Sequence, residues 1–291
     1  MKNILVTGSY GQLGNEIRIL TENEPDFRMF LTDVDTLDIC DYGAVEKFVK
    51  ENSIDLIMNC AAYTAVDKAE DNEEICHRVN AVAPYNLAKA AAAQGAELIH
   101  ISTDYVFDGR SPVPYTEDMP ATGLSVYGKT KREGELKIQE VLPSAVIIRT
   151  AWLYSEFGNN FVKTMIKLGK ERDTLNVVFD QVGTPTYALD LAKAMVTAAK
   201  QIFANGNIYG GIYHFTNEGV CSWYDFTIKI HELAGIKSCK VSPIESKDYP
   251  AKAPRPSFSV LNKAKIKKTF SIEIPHWEAS LRSCIAQLLN S

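Results

Sequence analysis

The chain has 291 residues, 46% of them hydrophobic and 23% charged, with a net charge of −5. That length and balance suit a globular protein of one or two domains with a packed core, and the negative charge argues against nucleic acid as its main partner. Six cysteines (Cys40, Cys60, Cys76, Cys221, Cys239, Cys284) are scattered, with no CxxC and no Cys/His cluster at zinc spacing, which reads as free thiols in a reducing compartment. No stretch approaches the ~20 apolar residues of a membrane span and no signal-peptide pattern follows Met1. A cytoplasmic protein with no membrane partner is expected.

In chain order, Ile4-Leu5-Val6 is an apolar run ending in a glycine-rich turn, and Gln12 to Leu20 has Leu13, Ile17 and Leu20 at helical spacing. Met29-Phe30-Leu31 is a second run, ending at Asp33, and Asp55-Leu56-Ile57-Met58 a third, ending at Asn59. An Ala-rich helix is predicted from Tyr85 to Gln94, a fourth strand over Glu97 to Ser102, a helix over Val126 to Ile138 and a fifth strand over Ala145 to Arg149. Strands alternating with helices imply right-handed crossovers and a parallel sheet. Continuous apolar runs fit strands buried on both faces. After about residue 150 prolines punctuate the chain, and the clearest helices run from Asp190 to Phe203 and from Trp223 to Ala234. The expected division is a dinucleotide-binding half over residues 1–150 and a smaller, mixed substrate-capping half over 151–291, with the two interleaved.

Gly8-x-x-Gly11-x-x-Gly14 follows a predicted strand and opens a predicted helix, the context that gives such a motif meaning. Glycine lets the backbone turn tightly and approach a pyrophosphate, and the helix N-terminus offers free N–H groups and partial positive charge. The spacing differs from the G-x-G-x-x-G of many dehydrogenases. Asp33, 19 residues beyond Gly14, can accept hydrogen bonds from the adenosine ribose and disfavours a 2′-phosphate, which favours NADH over NADPH. The competing reading is a cap for the following turn, with Asp35 and Asp38 close by.

Tyr127 and Lys131 lie four apart on a predicted helix and share a face. A phenol with a free pKa near ~10 is a poor acid–base catalyst at neutral pH. A nearby ammonium lowers it, and the same lysine can hold the nicotinamide ribose. Thr103 sits where the fourth strand ends, on the side of an open α/β sheet where ligands bind, and its hydroxyl can polarise a carbonyl. A second Y-x-x-x-K, Tyr85 to Lys89, lacks such a strand end and is assigned to packing and surface.

The cradle, Thr103 and Tyr127-x-x-x-Lys131 together resemble an extended short-chain dehydrogenase/reductase. Longer strings narrow the resemblance to the dTDP-4-dehydrorhamnose reductase family, nearly end to end: Asn59-Cys60-Ala61-Ala62-Tyr63-Thr64-Ala65-Val66-Asp67, Ser102-Thr103-Asp104-Tyr105-Val106-Phe107-Asp108-Gly109, Arg149-Thr150-Ala151-Trp152-Leu153-Tyr154 and Gly183-Thr184-Pro185-Thr186. The resemblance implies an α/β fold, a doubly wound parallel sheet of Rossmann type with a smaller mixed C-terminal domain holding a dTDP-sugar. It also implies hydride transfer from NADH or NADPH to C4 of a keto-sugar, with Tyr127 as proton donor, Lys131 as its tuner and Thr103 orienting the ketone. The cofactor set is then Gly8, Tyr10, Gly11, Gln12, Leu13 and Gly14, followed by Asp33, Asp38 and Ile39, by Asn59, Ala61, Ala62 and Tyr63, by Ser102, and by Tyr127 and Lys131. The sugar side comprises Thr103, Asp104, Val106, Tyr127, Trp152, Asn160 and Arg255; Arg255 is taken for the diphosphate because guanidinium suits a diphosphate, and Asn160, at the start of a helix, is a further candidate there. Trp152 competes with a role as a core aromatic, and Arg255 with a plain surface loop. Some members of that family hold Mg²⁺ at a dimer interface, and Glu16 falls where one such carboxylate sits. No other ligand can be placed, so no metal is predicted, and a homodimer stays open. Two alternatives remain: a nucleotide-sugar epimerase or dehydratase that retains its NAD, and a non-catalytic NAD(P)-binding regulatory subunit.

Overall fold

The computed structural model describes residues 1–205 and 209–290. Six strands pair in parallel: β1 (Lys2–Thr7), β2 (Phe27–Thr32), β3 (Leu56–Asn59), β4 (Glu97–Thr103), β5 (Val146–Thr150) and β6 (Gly211–His214). Their order across the sheet is β6-β5-β4-β3-β1-β2. The chain leaves β1 for β2 on one side and comes back to β3 on the other. The winding therefore reverses between β1 and β3, and the carboxyl ends of these two strands border the crevice where ligands of such sheets bind.

The apolar runs explain the layering. On β1, Ile4 and Val6 face one hydrophobic cluster and Leu5 the other; on β3, Leu56 and Met58 divide from Ile57 in the same way, as do Val146 and Ile148 from Ile147 on β5. With a side-chain period of two, a strand covered on both faces must be apolar at every position. The main helices are α1 (Gln12–Leu20), α2 (Tyr42–Glu51), α3 (Ala83–Gln94), α4 (Val126–Val141), α5 (Phe161–Glu171), α6 (Ala188–Asn205), α7 (Trp223–Leu233) and α8 (Trp277–Asn290), and α1, α2, α3, α4 and α6 supply the cover. Leu13 and Ile17 of α1 pack with Leu191 and Met195 of α6 on one face. Val45 of α2, Leu87 of α3 and Ile138 of α4 pack on the other.

Residues from both sides of position 150 build this sheet, since α6 and β6 complete one helical layer and one edge. A third cluster lies apart, built from α5, α7 and α8 around Tyr154, Val162, Phe226, Ile230 and Leu281. A parallel pair, Thr174–Val178 with Lys240–Ile244, and an antiparallel pair, Val182–Gly183 with Cys221–Ser222, complete that part. Helices α2 and α8 were not among the predicted elements; in α2 only Val45 and Val49 are buried, too sparse a stripe to stand out. No helix among the described residues is long and apolar enough to cross a membrane.

Candidate active site

A cleft of about 970 Å³ opens at the carboxyl ends of the central strands and runs under the second half of the chain. Of the residues predicted to hold cofactor, Gly8, Tyr10, Gly11, Gln12, Leu13, Asp33, Asp38, Ile39, Ala61, Ala62, Ser102, Tyr127 and Lys131 line it. So do Thr103, Asp104, Trp152, Asn160 and Arg255 from the sugar side. Sequence positions 8 to 255 thus converge on one cavity.

At the cradle, Gly8 has φ +66°, and a Cβ there would lie 2.8 Å from the Ala61 backbone. Only glycine lets the turns after β1 and β3 close to this distance. Asp33 is tied into the cradle: one carboxylate oxygen accepts from the Tyr10 N–H at 3.0 Å and the other from the Val34 N–H at 2.9 Å. Asp33 also shares a turn with Thr36, whose hydroxyl accepts from the Asp33 N–H, so the capping geometry and the cleft-facing geometry coexist. Gly14 lies one turn into α1, packed on the backbone of Gly8 and Ser9, and acts through the shape of the cradle.

Two further cofactor candidates support the cleft from behind. Asn59 is 1% exposed; its Oδ1 accepts from Thr7 Oγ1 at 2.7 Å and from the Ala61 N–H at 3.1 Å, joining β1 to β3. Tyr63 is clamped through its backbone, its N–H donating to Asn80 Oδ1 and its carbonyl accepting from Asn80 Nδ2. Val106 departs from expectation. It is fully buried in a separate cluster with Phe107, Tyr115 and Leu261, because the chain coils into a short 3₁₀ turn over Asp104–Val106 immediately after β4 and carries that side chain inward.

The residues predicted to be catalytic sit where β4 meets α4. Ser125 caps α4 by accepting from the Gly128 N–H, and Glu70 accepts from the Val126 N–H. A Cβ on Gly128 would lie 2.2 Å from the Tyr105 carbonyl oxygen, so the glycine after Tyr127 lets the helix press against the turn following Thr103. Thr103 Oγ1 donates to Asp104 Oδ1 at 2.9 Å. Burial raises the Asp104 carboxyl to about 6. Tyr105 meets the Tyr127 ring edge-on, centroids 5.5 Å apart.

Lys131 is 1% exposed, which rules out a merely solvated helix face. Its Nζ donates to the Ile101 carbonyl at 2.6 Å and lies 3.4 Å from His100 Nε2. Burial lowers it to about 8, with Glu135 acting in the opposite sense. The Tyr127 phenol is not lowered as expected. Burial raises it, while the Thr103 hydroxyl beside it works the other way. The physical reason is that Lys131 is turned onto a β4 carbonyl while the phenol stands in a poorly solvated wall. By contrast, Lys89 of the second Y-x-x-x-K is exposed and lies 4.1 Å over the Tyr42 ring, a surface packing contact.

On the sugar side, Trp152 takes a left-handed backbone, φ 49°, and its ring stacks on Trp223 at 3.5 Å between centroids and 10° between planes. Both rings are partly exposed and line the cleft. Trp223 was not foreseen. Its local signal, the Ser222/Asp225 capping box, marks the start of α7 but not which way its first ring points. Arg255 reaches across to the other lip, donating to Asp67 Oδ2 at 2.7 Å and to Tyr105 Oη at 3.0 Å. Asn160 Nδ2 donates to Gln12 Oε1 at 3.0 Å, linking the start of α5 to the cradle. Glu16 is buried beside Ser155, Glu156 and Asp190, and burial together with Glu156 raises its pKa. Among the described residues no group of three or more His, Cys, Asp or Glu side chains could hold a metal ion.

A family model described as the RmlD substrate binding domain matches residues 1–290. The chain belongs to this family. A relative from Aggregatibacter actinomycetemcomitans named dTDP-4-dehydrorhamnose reductase is 39% identical over 288 residues, 97% of this chain and 98% of its own. Among solved structures, the enzyme of that name from Clostridium acetobutylicum superposes with a TM-score of 0.93 at 45% identity, covering 99% of both chains. The Bacillus anthracis enzyme, solved in complex with NADP, gives 0.91 at 38% identity, covering 99% of this chain and all of that one. Family membership extends to the C-terminal α8, so the second half of the cleft is as much part of the family as the cradle.

Proposed function

We propose that the chain reduces the C4 ketone of dTDP-4-dehydro-L-rhamnose to give dTDP-L-rhamnose, with NADH or NADPH as the hydride source. The observation that carries this reading is the convergence, in one cleft, of a Gly8 cradle a Cβ would fill with the Thr103, Tyr127 and Lys131 side chains. The relatives named for this reaction, each matched along nearly their whole length, support it. When bound, the nicotinamide supplies the hydride. Thr103 orients the ketone, Tyr127 holds the proton that the C4 oxygen takes up, and Lys131 holds the ribose and stabilises the phenolate. Burial keeps the phenol protonated at neutral pH, the state a proton donor needs. Trp152 and Trp223 offer an aromatic wall to the sugar. The test is loss of cofactor absorbance with the keto-sugar as substrate; oxidation of neither NADH nor NADPH despite measurable binding of both would reject it.

Asp33, Asp35 and Asp38 line the cleft near the cradle, where this reading puts the adenosine, whereas the cations among the described lining residues, Lys131 and Arg255, lie elsewhere. That distribution favours NADH, since a 2′-phosphate would meet carboxylate. Asp33→Ala is expected to weaken NADH binding about tenfold while NADPH changes little or tightens. Equal losses in titrations of the two cofactors would remove Asp33 from the ribose site.

Arg255 is the guanidinium suited to the sugar diphosphate, which would have to compete with Asp67 for it. Arg255→Ala is expected to raise KM for the nucleotide-sugar about tenfold or more, with kcat nearly kept. An unchanged KM would place Arg255 outside the substrate site.

A further inference from the structure

Thr7, Asn59 and His100 form a buried line that ends at Lys131, all four 1% exposed or less, and no step above gives His100 a role. Their hydrogen bonds have a direction. The Ala61 N–H can only donate, and it donates to Asn59 Oδ1, as does Thr7 Oγ1. This fixes the amide orientation, so the group 2.9 Å from His100 Nδ1 is the Asn59 NH₂. An amide NH₂ also only donates. Nδ1 must therefore present its lone pair, and a neutral imidazole then carries its proton on Nε2. Burial lowers the His100 pKa well below its ordinary value, in keeping with a neutral ring. The Nε2–H faces Lys131 Nζ at 3.4 Å. An ammonium there would oppose N–H to N–H, whereas a neutral amine would accept.

We infer that His100 is a positioning residue for Lys131: Asn59 locks its proton on Nε2, and that N–H disfavours the charged form of the lysine. The charge of the site lysine is thereby tied to the cradle, because the lock begins at Thr7 and Ala61 beside Gly8. The other titratable or charged groups facing Lys131 are Glu135 on its own helix and Cys76 on the helix Glu73–His77, with Arg149 of β5 bound to Glu135. Glu135 and Cys76 both favour the ammonium and burial opposes it; the Nε2–H of His100 acts in the same sense as burial, and Arg149 is taken up by Glu135. The consequence for turnover rests on the proposed role of Lys131 at the ribose and phenol.

The test separates the two. In ¹⁵N-histidine-labelled enzyme, long-range ¹H–¹⁵N correlation should show His100 with a bare Nδ1 and a protonated Nε2; a protonated Nδ1 would overturn the inference, whatever the variants do. Asn59→Asp substitutes an acceptor for the donor, so Nδ1 takes the proton and Nε2 becomes an acceptor for the ammonium. The Lys131 ε-carbon resonance, identified by its loss in Lys131→Met, is then expected to titrate about one pH unit or more higher than in the wild type, and an unmoved titration would overturn the inference. The alkaline limb of kcat with NADPH and the keto-sugar should move by the same amount. If the resonance moves and the limb does not, the His100 inference stands and the assignment of Lys131 to the reaction falls.

Discussion

Tyr127→Phe is expected to lower kcat about a thousandfold, within the range that a positioned proton donor contributes. The Kd for NADPH should stay within about threefold, because the phenyl ring still fills its slot and only the hydroxyl is lost. The Tyr127 ring is 8% exposed and contacts Tyr105 edge-on, a contact phenylalanine keeps. The phenol is raised by burial, so the wild type holds its proton through the neutral range and no acidic limb should arise from it. Single-turnover absorbance decay with the keto-sugar, beside cofactor titration by fluorescence, reads both quantities. A variant that retains more than about a tenth of wild-type kcat would exclude the phenol as the acid, given the usual size of that contribution.

The second large effect concerns stability. Glu135 on α4 accepts from Arg149 Nε and Nη2, both at 2.8 Å, and Arg132 Nη1 adds a third bond at 2.7 Å. Glu135 and Arg149 are 0% and 1% exposed, and the Arg149 guanidinium lies 4.9 Å over the Phe107 ring. Glu135→Leu leaves that guanidinium buried without its carboxylate and is expected to cost about 3–5 kcal/mol, read as a fall in the urea midpoint at constant m. The double variant Glu135→Leu/Arg149→Met removes both charges and should recover most of the loss. A single variant costing under about 1 kcal/mol, or a double variant no better than the single, would show that the pair is not a buried couple of this kind. The pH dependence has a definite sign. Burial opposes ionisation of Glu135, but the Arg149 hydrogen bonds and charge outweigh it and hold the carboxyl below its ordinary value. A folded pKa below the unfolded one stabilises at pH above ~4.3, and the contribution fades as pH falls from there through the folded value.

Most of the site is legible in the residues themselves, for identifiable reasons. Gly8, Thr103, Tyr127 and Lys131 occupy strand ends and helix starts, where backbone rules tie residue type to position. Trp152 and Arg255 are reached by resemblance of strings, and both line the cleft. The expectation for Val106 failed because one turn of 3₁₀ helix after β4 rotates its side chain into the core, a rotation that strand periodicity does not encode. Trp223 was missed because its partner ring lies far away in sequence, on the Trp152 loop. The pKa expectation for Tyr127 failed because an i, i+4 spacing says that two side chains share a helix face, not where a lysine amine ends; here it ends on the Ile101 carbonyl.

By itself, the sequence determined the layered parallel architecture, because an unbroken apolar run is stable only in a strand covered on both faces. It determined the cradle as well, because only glycine permits the backbone of Gly8 and Ala61 to approach so closely. The tertiary structure alone decided what lies beside what. The sheet continues past residue 150 through β6 and α6, the two tryptophans stack, Arg255 spans to Asp67, and the Thr7–Asn59–His100 line ends at Lys131. These contacts join residues tens to hundreds of positions apart. Their strength depends on burial and on the direction of each donor and acceptor, quantities that exist only once the chain has closed on itself.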